Sequence, residues 1–416
     1  VDSLARTYEL LDLVRAQRPS QVLRDPMLPW FEVCRESGLP ACGVEQHPDG
    51  AYVAATVLAK SGVRRKARER MRGVLDLPEI VLSDGDELHN DGWIAVIHAD
   101  GNGIGQIFTN FPERALRASH ELGDDTASLT LDRHRERLAA FTKELDLATE
   151  TALGLAVRDT LQGRKDSDST ILPVVFGGDD VTVVCHARFA LGIARRFLLN
   201  FGELASGNPT LRAIAGKPLT GAAGIAYVKP HHPFSAAYAL AEELTASAKT
   251  ATRMDVAAID LHVAFESTLA DLSTLRRRIA ADGFPRHGGP YVVTAQESAS
   301  AGPRDIDELD RTMGTLSKLS SSMAHDLREA LARGRAEFEQ QLQLAAWSPD
   351  LPTNVARDDI WRLAPVDGSG GDGFPADAPI VRLLDAQLLN SIAKGSPAAA
   401  AVSSEGQGVT FAGVTQ

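Results

Sequence analysis

The chain has 416 residues, of which 44% are hydrophobic, enough for the cores of two or three compact modules. Its 43 basic and 55 acidic residues give a formal net charge of −12 at pH 7, which argues against a general nucleic-acid binder. No apolar run is long enough for a membrane span or a signal peptide, so we predict no membrane contact.

The first ninety residues divide into two predicted segments. Residues 1–25 have the pattern of an N-terminal helix, and residues 26–90 form a small segment that carries Cys34 and Cys42. The chain has three cysteines in all, and an odd number indicates a reducing compartment, so we predict a cytoplasmic protein. It begins at Val1 rather than at a methionine, as a processed or trimmed chain does.

A buried strand that ends in a carboxylate is predicted next. The apolar core of residues 92–99 runs out at Asp100, and a glycine-rich bend at 101–105 follows. A carboxylate at this end of a central strand is placed to bind a metal ion, and the amides of the bend are placed to contact phosphate. The bend lacks the Lys-Ser/Thr ending of a P-loop and the sixth-position glycine of a dinucleotide fingerprint.

Two adjacent carboxylates, Asp179 and Asp180, lie between two short strands. The runs 171–176 and 181–185 are rich in β-branched residues and flank Gly-Gly-Asp-Asp, which predicts a β-hairpin. Neighbouring carboxylates repel each other unless a cation lies between them or water screens them, and Mg²⁺ selects such oxygen ligands. The tetrapeptide alone is equally typical of a solvated turn. Together with Asp100, it predicts a site of three carboxylates.

The remaining elements predict an α/β (α+β) fold, a ferredoxin-like palm with one added strand. Helical periodicity at 133–162, 186–205 and 234–253 and strand patterns at 219–228 and 256–265 complete the order β-α-β-β-α-β-α-β. In this fold the first strand lies beside the hairpin, which brings Asp100 close to Asp179 and Asp180.

Five segments are predicted along the chain. After the N-terminal helix (1–25) and the small segment (26–90) come the palm at 91–270, a C-terminal helical domain at 271–363 and a flexible tail at 364–416. The tail contains a short apolar helix at 386–392 that we interpret as a docking element.

Three motifs make the chain resemble a known family. HADGNGIGQIF (98–108), VVFGGDDVTVV (174–184) and GAAGIAYVKPHHPFSAAYALAEELTASAK (221–249) are similar to the catalytic palm of the large polymerase-like subunit of type III CRISPR effector complexes, the cyclic oligoadenylate synthase. The resemblance extends over roughly residues 26–345 as a match of motifs and their order. It implies an enzyme that joins nucleoside triphosphates, ATP first among them, through 3′–5′ bonds into a cyclic oligonucleotide messenger of bacterial antiviral defence.

The chain departs from the family pattern in its domain content. The related large subunits carry two palms, usually with an N-terminal histidine-aspartate nuclease domain, whereas one palm is predicted here. The sole His-Asp pair, His325 and Asp326, lies in an amphipathic helical pattern, which is typical of a solvated face. We therefore expect a second palm surface from another copy of this chain, in a homodimer, or from a partner palm protein. An RNA-guided complex is a further partner that the resemblance allows.

Single residues also depart from the pattern. Asn102 stands where related palms often have a second acid. Related subunits often carry a zinc knuckle in the region of Cys34 and Cys42, but a structural zinc needs four ligands, and here a second pair is absent unless His47 or His89 contributes. We interpret the cysteines as a half-site that binds no zinc.

The predicted chemistry uses two Mg²⁺ or Mn²⁺ ions roughly 4 Å apart. A triphosphate adds negative charge to a cluster of carboxylates, so its binding requires divalent cations and basic partners. Lys249 resembles the family's phosphate-binding lysine, and Arg253 lies one turn further on. The predicted catalytic residues are Asp100, Asp179 and Asp180, and the predicted metal ligands are the same three with Gly101. The predicted nucleotide-binding residues are Gly101, Asn102, Gly103, Gly177, Gly178, Lys249 and Arg253.

Two alternatives stay open. One is a catalytically silent palm that serves as a scaffold or a nucleotide sensor in a CRISPR-type effector complex. The other is a cyclic dinucleotide synthase similar to diguanylate cyclases, which share the palm but have Glu where Asp180 stands. The presence of all three carboxylates favours an enzyme over a scaffold, because a scaffold has no need of a repulsive trio.

Overall fold

The computed structural model describes residues 32–34, 39–44, 52–75, 92–119, 121, 130–162, 171–265, 271–279, 287–294, 304–333, 335–361, 363, 385–386, 388–390 and 392. The chain divides into two compact units, Val1–Arg70 and Met71–Gln416. The predicted N-terminal helix, His47, His89 and most of the predicted tail lie outside the described residues. The predicted division into five segments stays a prediction.

The first unit contains a two-stranded antiparallel sheet of β1 (Gly43–Val44) and β2 (Tyr52–Val53). The helix α1 (Ala55–Leu75) follows. Cys34 is buried and Cys42 is exposed, and neither forms a disulfide. The two thiols of the predicted half-site therefore lie in different environments.

The second unit is built on a six-stranded sheet. Its strands are β3 (Ile94–Gly101), β4 (Ile171–Gly177), β5 (Asp180–His186), β6 (Gly221–Val228), β7 (Ala258–Val263) and β8 (Tyr291–Val292), in the spatial order β4-β5-β3-β6-β7-β8. The four strands β4-β5-β3-β6 pair antiparallel in the order of a ferredoxin-like fold. β7 then adds parallel to β6, and β8 adds antiparallel to β7. The predicted palm fold is confirmed.

Helices cover the sheet and extend beyond it. They are α2 (Ile104–Thr109), α3 (Phe111–Ala118), α4 (Leu131–Leu161), α5 (Ala187–Gly207), α6 (Pro209–Ala215), α7 (Phe234–Ala251), α8 (Leu272–Ile279), α9 (Ile306–Lys318), α10 (Ser321–Arg333), α11 (Arg335–Ala346) and α12 (Arg357–Trp361). The helices α4, α5 and α7 agree with the three predicted from periodicity. No helix among the described residues is long and apolar enough to cross a bilayer.

The two faces of the sheet bury different sets of side chains, because successive residues of a strand point to opposite faces. On β3, Ala95, Ile97 and Ala99 belong to the main core, which α4 and α5 also line. Val96 points to the other face and belongs to a second core with residues of α7. Residues 98 and 100 lie two and four positions after Val96 and therefore point to the same face of the strand. The carboxylate of Asp100 thus lies on the side of the sheet that α7 covers.

The C-terminal helices share the main core of the palm. Leu309 of α9 and Leu342 of α11 belong to the same hydrophobic cluster as the sheet. The predicted helix at 386–392 is helical at its described residues, and it buries Leu389 and Ile392 in that cluster. The Asn390 side chain donates to the Met313 carbonyl at 2.9 Å. This part of the predicted tail therefore docks on its own chain.

Candidate active site

The strand β3 and the β4–β5 hairpin bring the three predicted carboxylates to one end of the sheet. In the antiparallel register, His98 lies opposite Thr182 and Ala99 opposite Val181. Asp100 follows on β3, and Asp180 is the first residue of β5. Gly178 takes a left-handed φ of 62°, which closes the turn between the hairpin strands.

Asp179 lies against Asp100, and this proximity changes its acidity. Burial, a hydrogen bond with Asp100 and the charges of Asp100 and Asp180 raise the pKa of Asp179 to about 7. Burial, followed by the charge of Asp100, also raises the pKa of Asp180. Protonation of Asp179 near neutral pH relieves the repulsion within the cluster, as a bound cation would.

Lys249 lies at the carboxylates. It belongs to the last turn of α7, and its Nζ donates to Asp100 Oδ2 and, at 2.9 Å, to the Gly101 carbonyl. The Lys249 side chain is 15% exposed and that of Asp100 is 32% exposed, so solvent screens this ion pair only in part. The predicted phosphate-binding lysine therefore contacts an acid and a carbonyl of the site.

Gly101 leaves room for the side chain of Asp179. A Cβ on Gly101 would lie 2.9 Å from both Cβ and Oδ2 of Asp179, and 2.6 Å from Cγ1 of Ile104. Both distances are shorter than carbon contacts allow, so only glycine fits here without a shift of its neighbours. This steric role adds to the metal and phosphate roles predicted for Gly101.

Two residues that the sequence analysis missed hold the turn of the hairpin. The Gly178 N–H donates to Asp146 Oδ1, and Thr149 Oγ1 donates to the Gly178 carbonyl at 2.6 Å. Asp146 and Thr149 are three residues apart on α4, so they lie on one face of the helix. Thr149 is fully buried. A polar pair at this spacing in an otherwise apolar helix face was the signal that could have identified them.

A second missed group flanks the acids on the α7 side. His98 Nδ1 lies 3.2 Å from Thr182 Oγ1, and Thr245 Oγ1 of α7 donates to the His98 carbonyl at 2.9 Å. The His98 ring also meets the Tyr238 ring edge to face, with 5.5 Å between centroids. These contacts seat α7 against β3 next to Asp100.

The other predicted nucleotide-binding residues lie around the same end of the sheet. Asn102 is 2% exposed, and its Nδ2 donates to Thr220 Oγ1 at 2.9 Å and to the Val256 carbonyl at 3.2 Å. Its side chain thus ties the ends of strands together. Gly103 precedes α2 and Gly177 ends β4. Arg253 is exposed in the turn after α7, where it has a left-handed φ of 51°.

The donor chemistry of the cluster fits a hard divalent cation. Carboxylate oxygens of Asp100 and Asp179 and the carbonyl of Gly101 are ligands that Mg²⁺ and Mn²⁺ accept. In the described part of the chain, however, no group of three or more His, Cys, Asp and Glu side chains is arranged to hold a metal ion. Lys249 contacts both Asp100 and Gly101, so a metal ion at these oxygens requires the ammonium group to move.

Taken together, the sheet order and the acidic hairpin define a palm domain of the nucleotidyltransferase type. Residues 93–258 match the family model described as Cas10/Cmr2, second palm domain. The resemblance predicted from the motifs is therefore confirmed, and this segment is a Cas10-like palm of the type III CRISPR class.

Two solved structures are similar to this chain. One is a Csm1-Csm4 cassette in complex with cA4, at 15% identity and a TM-score of 0.37, and it covers 73% of this chain and 37% of that chain. The other is a Csm1-Csm4 cassette in complex with pppApA, at 17% identity and a TM-score of 0.36, with 74% and 37% covered. This chain thus spans 37% of the length of each of those chains. No curated protein sequence matches it.

Proposed function

We propose that the chain is a metal-dependent nucleotidyltransferase that joins nucleoside triphosphates, ATP first among them, through 3′–5′ bonds. The product is a cyclic oligonucleotide messenger of bacterial antiviral defence. The observation that supports this most is the meeting of Asp100 with Asp179 and Asp180 at one end of a palm sheet, within a segment that matches the Cas10/Cmr2 family.

Each residue has a defined part in this proposal. Asp100 and Asp179 would hold the cations, with Asp180 and the Gly101 carbonyl as further ligands. When bound, two Mg²⁺ or Mn²⁺ ions lower the pKa of an attacking 3′-hydroxyl and stabilise the leaving pyrophosphate. In this proposal Asp179 loses its proton to accept a cation, and Lys249 turns from Asp100 towards a phosphate. Asp146 and Thr149 keep the hairpin turn in place through Gly178.

A catalytically silent palm, acting as a scaffold or a nucleotide sensor, is the second candidate. The observation that favours it is the ion pair of Lys249 with Asp100, which neutralises a predicted metal ligand by a side chain of the protein itself. In that case the site would bind a nucleotide without turnover.

The decisive experiment incubates the purified chain with each labelled nucleoside triphosphate and Mg²⁺ or Mn²⁺ and resolves the products. We expect oligonucleotide products from the wild type and none from Asp100→Ala or Asp179→Ala. Asp179→Ala should fold normally, because removing one of several like charges relieves repulsion. Asp100→Ala also removes the ion-pair partner of Lys249 and should lose some stability. Asp326→Ala, an exposed acid on α10, is the matched control and should keep full synthesis.

Three outcomes separate the candidates. Near wild-type synthesis by Asp179→Ala would show that the metal ligands are wrongly assigned. Nucleotide binding without any product would favour the silent palm. A dinucleotide product in place of longer rings would favour a cyclic dinucleotide synthase.

We also propose that two palms meet to form the product. Joining nucleotides requires an acceptor 3′-hydroxyl in line with a donor α-phosphate, and the part of the chain that the structure describes holds one palm sheet. A second copy related by a two-fold axis is the simplest source of the other surface, and a partner palm protein is the alternative. Light scattering with and without a non-hydrolysable triphosphate tests this, and a strict monomer that still makes product would contradict it.

A further inference from the structure

The cation that lies at the carboxylates is a side chain of the protein itself. Lys249 Nζ donates to Asp100 Oδ2 and, at 2.9 Å, to the Gly101 carbonyl. Both oxygens are among the predicted metal ligands. Because Mg²⁺ binds its oxygen ligands at about 2.0–2.1 Å, a metal ion in contact with this pair of oxygens would overlap the ammonium group. The two cations therefore exclude each other at Asp100 and Gly101.

The helix holds the backbone of Lys249 in place, whereas its side chain can change direction. Ala248, which precedes it, is fully buried in a small core with Ala222 of β6 and Ala258 of β7. Thr245, one turn earlier, donates to β3. The lysine stem is a flexible chain of four carbons. The ammonium group can therefore leave Asp100 by rotation of this stem, without movement of α7.

The ammonium group has a different partner with and without a triphosphate. Without one, it offsets the charge of Asp100, and solvent screens the pair only in part because the two side chains are 15% and 32% exposed. A divalent cation that arrives alone must break this pair and leave the ammonium beside a second positive charge. A triphosphate brings anionic oxygens that an ammonium binds as it binds a carboxylate. It thus gives Lys249 a new partner and leaves Asp100 open to the cation.

We propose that Lys249 keeps a divalent cation from Asp100 and Gly101 until a triphosphate binds. The inference rests on the proposed function and adds to it a control of the metal site by the nucleotide. Because coupling between two ligands is reciprocal, the cation and the triphosphate each strengthen the binding of the other.

The test measures metal binding in the absence of any nucleotide. Mn²⁺ is titrated into the purified protein, and the electron spin resonance signal of the free ion gives its Kd. We expect Lys249→Met to lower the Kd of Mn²⁺ about 5- to 150-fold, the usual size of the coupling between two ligands. A lysine that only holds Asp100 in place would give a change of opposite sign, because its loss would leave the carboxylate less well ordered for a metal ion.

Three further proteins complete the comparison. Lys249→Gln also removes the charge but keeps a hydrogen-bond donor, and it should bind Mn²⁺ more tightly than the wild type does. Asp100→Asn combined with Lys249→Met should lose the gain in affinity, which would assign the gain to Asp100. Lys318→Met removes an exposed lysine from the last turn of α9 and should leave the Kd of Mn²⁺ unchanged, which controls for net charge.

Product formation by the same preparations separates this inference from the proposed function. If the wild type makes product and both Lys249 variants bind Mn²⁺ no more tightly than it does, the inference alone is refuted. If the variants bind Mn²⁺ more tightly but the wild type makes no product, the inference is supported and the silent palm is favoured. If no protein binds Mn²⁺ and none makes product, the metal site is refuted, and the inference with it.

Discussion

At the scale of single residues, the three carboxylates of the acid cluster lie close together and their negative charge is partly neutralised. The carboxyl of Asp179 lies against both Asp100 and the backbone of Gly101. Its raised pKa and the nearby ammonium of Lys249 reduce the repulsion that three adjacent acids would otherwise cause. We therefore expect substitutions that change the spacing of the cluster to affect function more than folding.

Gly101→Ala tests the spacing. The added Cβ would come within 2.9 Å of Asp179 and must displace it, so we expect nucleotide synthesis to be lost and the free energy of unfolding to fall by about 1–3 kcal/mol. Gly105→Ala is the matched control, because a Cβ there meets no atom within 4 Å and Gly105 lies in α2. It should keep activity and gain about 0.5–1 kcal/mol. Equal activity in the two variants would contradict the steric role of Gly101.

Lys249→Met tests the cation at the site. We expect it to weaken triphosphate binding by about 1–3 kcal/mol, because a charge-assisted contact to phosphate is lost while the apolar stem is kept. Lys318→Met is the control, since Lys318 also lies in the last turn of a helix, α9, and is exposed. Nucleotide affinity measured by calorimetry should be unchanged in the control. An unchanged nucleotide affinity in Lys249→Met would show that Lys249 only holds Asp100 and Gly101 in place and does not bind the triphosphate.

At the scale of elements, α4 determines where the acidic turn lies. The helix is 31 residues long, and Thr130 caps its start by accepting from the Arg133 N–H. Its Asp146 and Thr149 bind both the N–H and the carbonyl of Gly178, the residue that precedes Asp179. A helix that is anchored in the main core thereby orients a turn at the edge of the sheet.

Thr149→Val tests whether α4 determines the position of the turn. The substitution keeps the volume but leaves the part-buried Gly178 carbonyl without its donor, which should cost about 1–3 kcal/mol of stability. We expect turnover to fall on the order of tenfold or more, because a small misplacement of catalytic groups is enough for such a loss. Thr149→Ser should restore turnover. Thr160→Val, whose hydroxyl binds the Ala156 carbonyl of the same helix, should retain it. A Thr149→Val variant with wild-type turnover would show that α4 does not control the turn.

At the scale of the whole molecule, a segment near the C-terminus closes onto the added strands of the sheet. Asp385 is buried, and its Oδ2 accepts from the Tyr291 hydroxyl at 2.6 Å and from the Gly288 N–H at 2.8 Å. Nearby, Nη2 of Arg276 in α8 donates to both carboxylate oxygens of buried Asp260 in β7. The far edge of the palm sheet is thus held by polar contacts between segments distant in sequence.

The raised pKa of buried Asp385 predicts that the free energy of unfolding depends on pH. Burial raises its pKa from 3.8 to about 6, so the folded state holds the proton more tightly than the unfolded state. The stabilisation from this proton is fully present below pH 3.8 and is lost as the pH rises through about 6. The loss amounts to about 3 kcal/mol at most.

Asp385→Asn should remove this loss of stability at rising pH. The Asn Oδ1 can accept the same two hydrogen bonds and does not ionise, so the variant should be the more stable protein at pH 7. Denaturant unfolding from pH 4 to pH 7 measures the difference, with Asp326→Asn on the exposed face of α10 as the control. Parallel stability profiles of wild type and Asp385→Asn would contradict the shifted pKa.

Much of the palm was determined by local sequence. Periodicities of 2 and 3.6 residues and the glycine pair before Asp179 specify strands, helices and a hairpin from neighbouring residues alone. The order of these elements then allows few topologies, and the ferredoxin-like one places β3 beside β5. The proximity of Asp100 to Asp179 and Asp180 was therefore predictable.

The contacts that shape the site were decided by the tertiary structure. Lys249 meets Asp100 across 149 residues of sequence, and Thr149 meets Gly178 across 29. The contact of Asp385 with Tyr291 and the pairing of β8 with β7 also join distant segments. No local pattern encodes such pairs, because the direction of a side chain and its partner depend on how helices pack on the sheet. The same packing sets the burial that shifts the pKa of Asp179 and of Asp385.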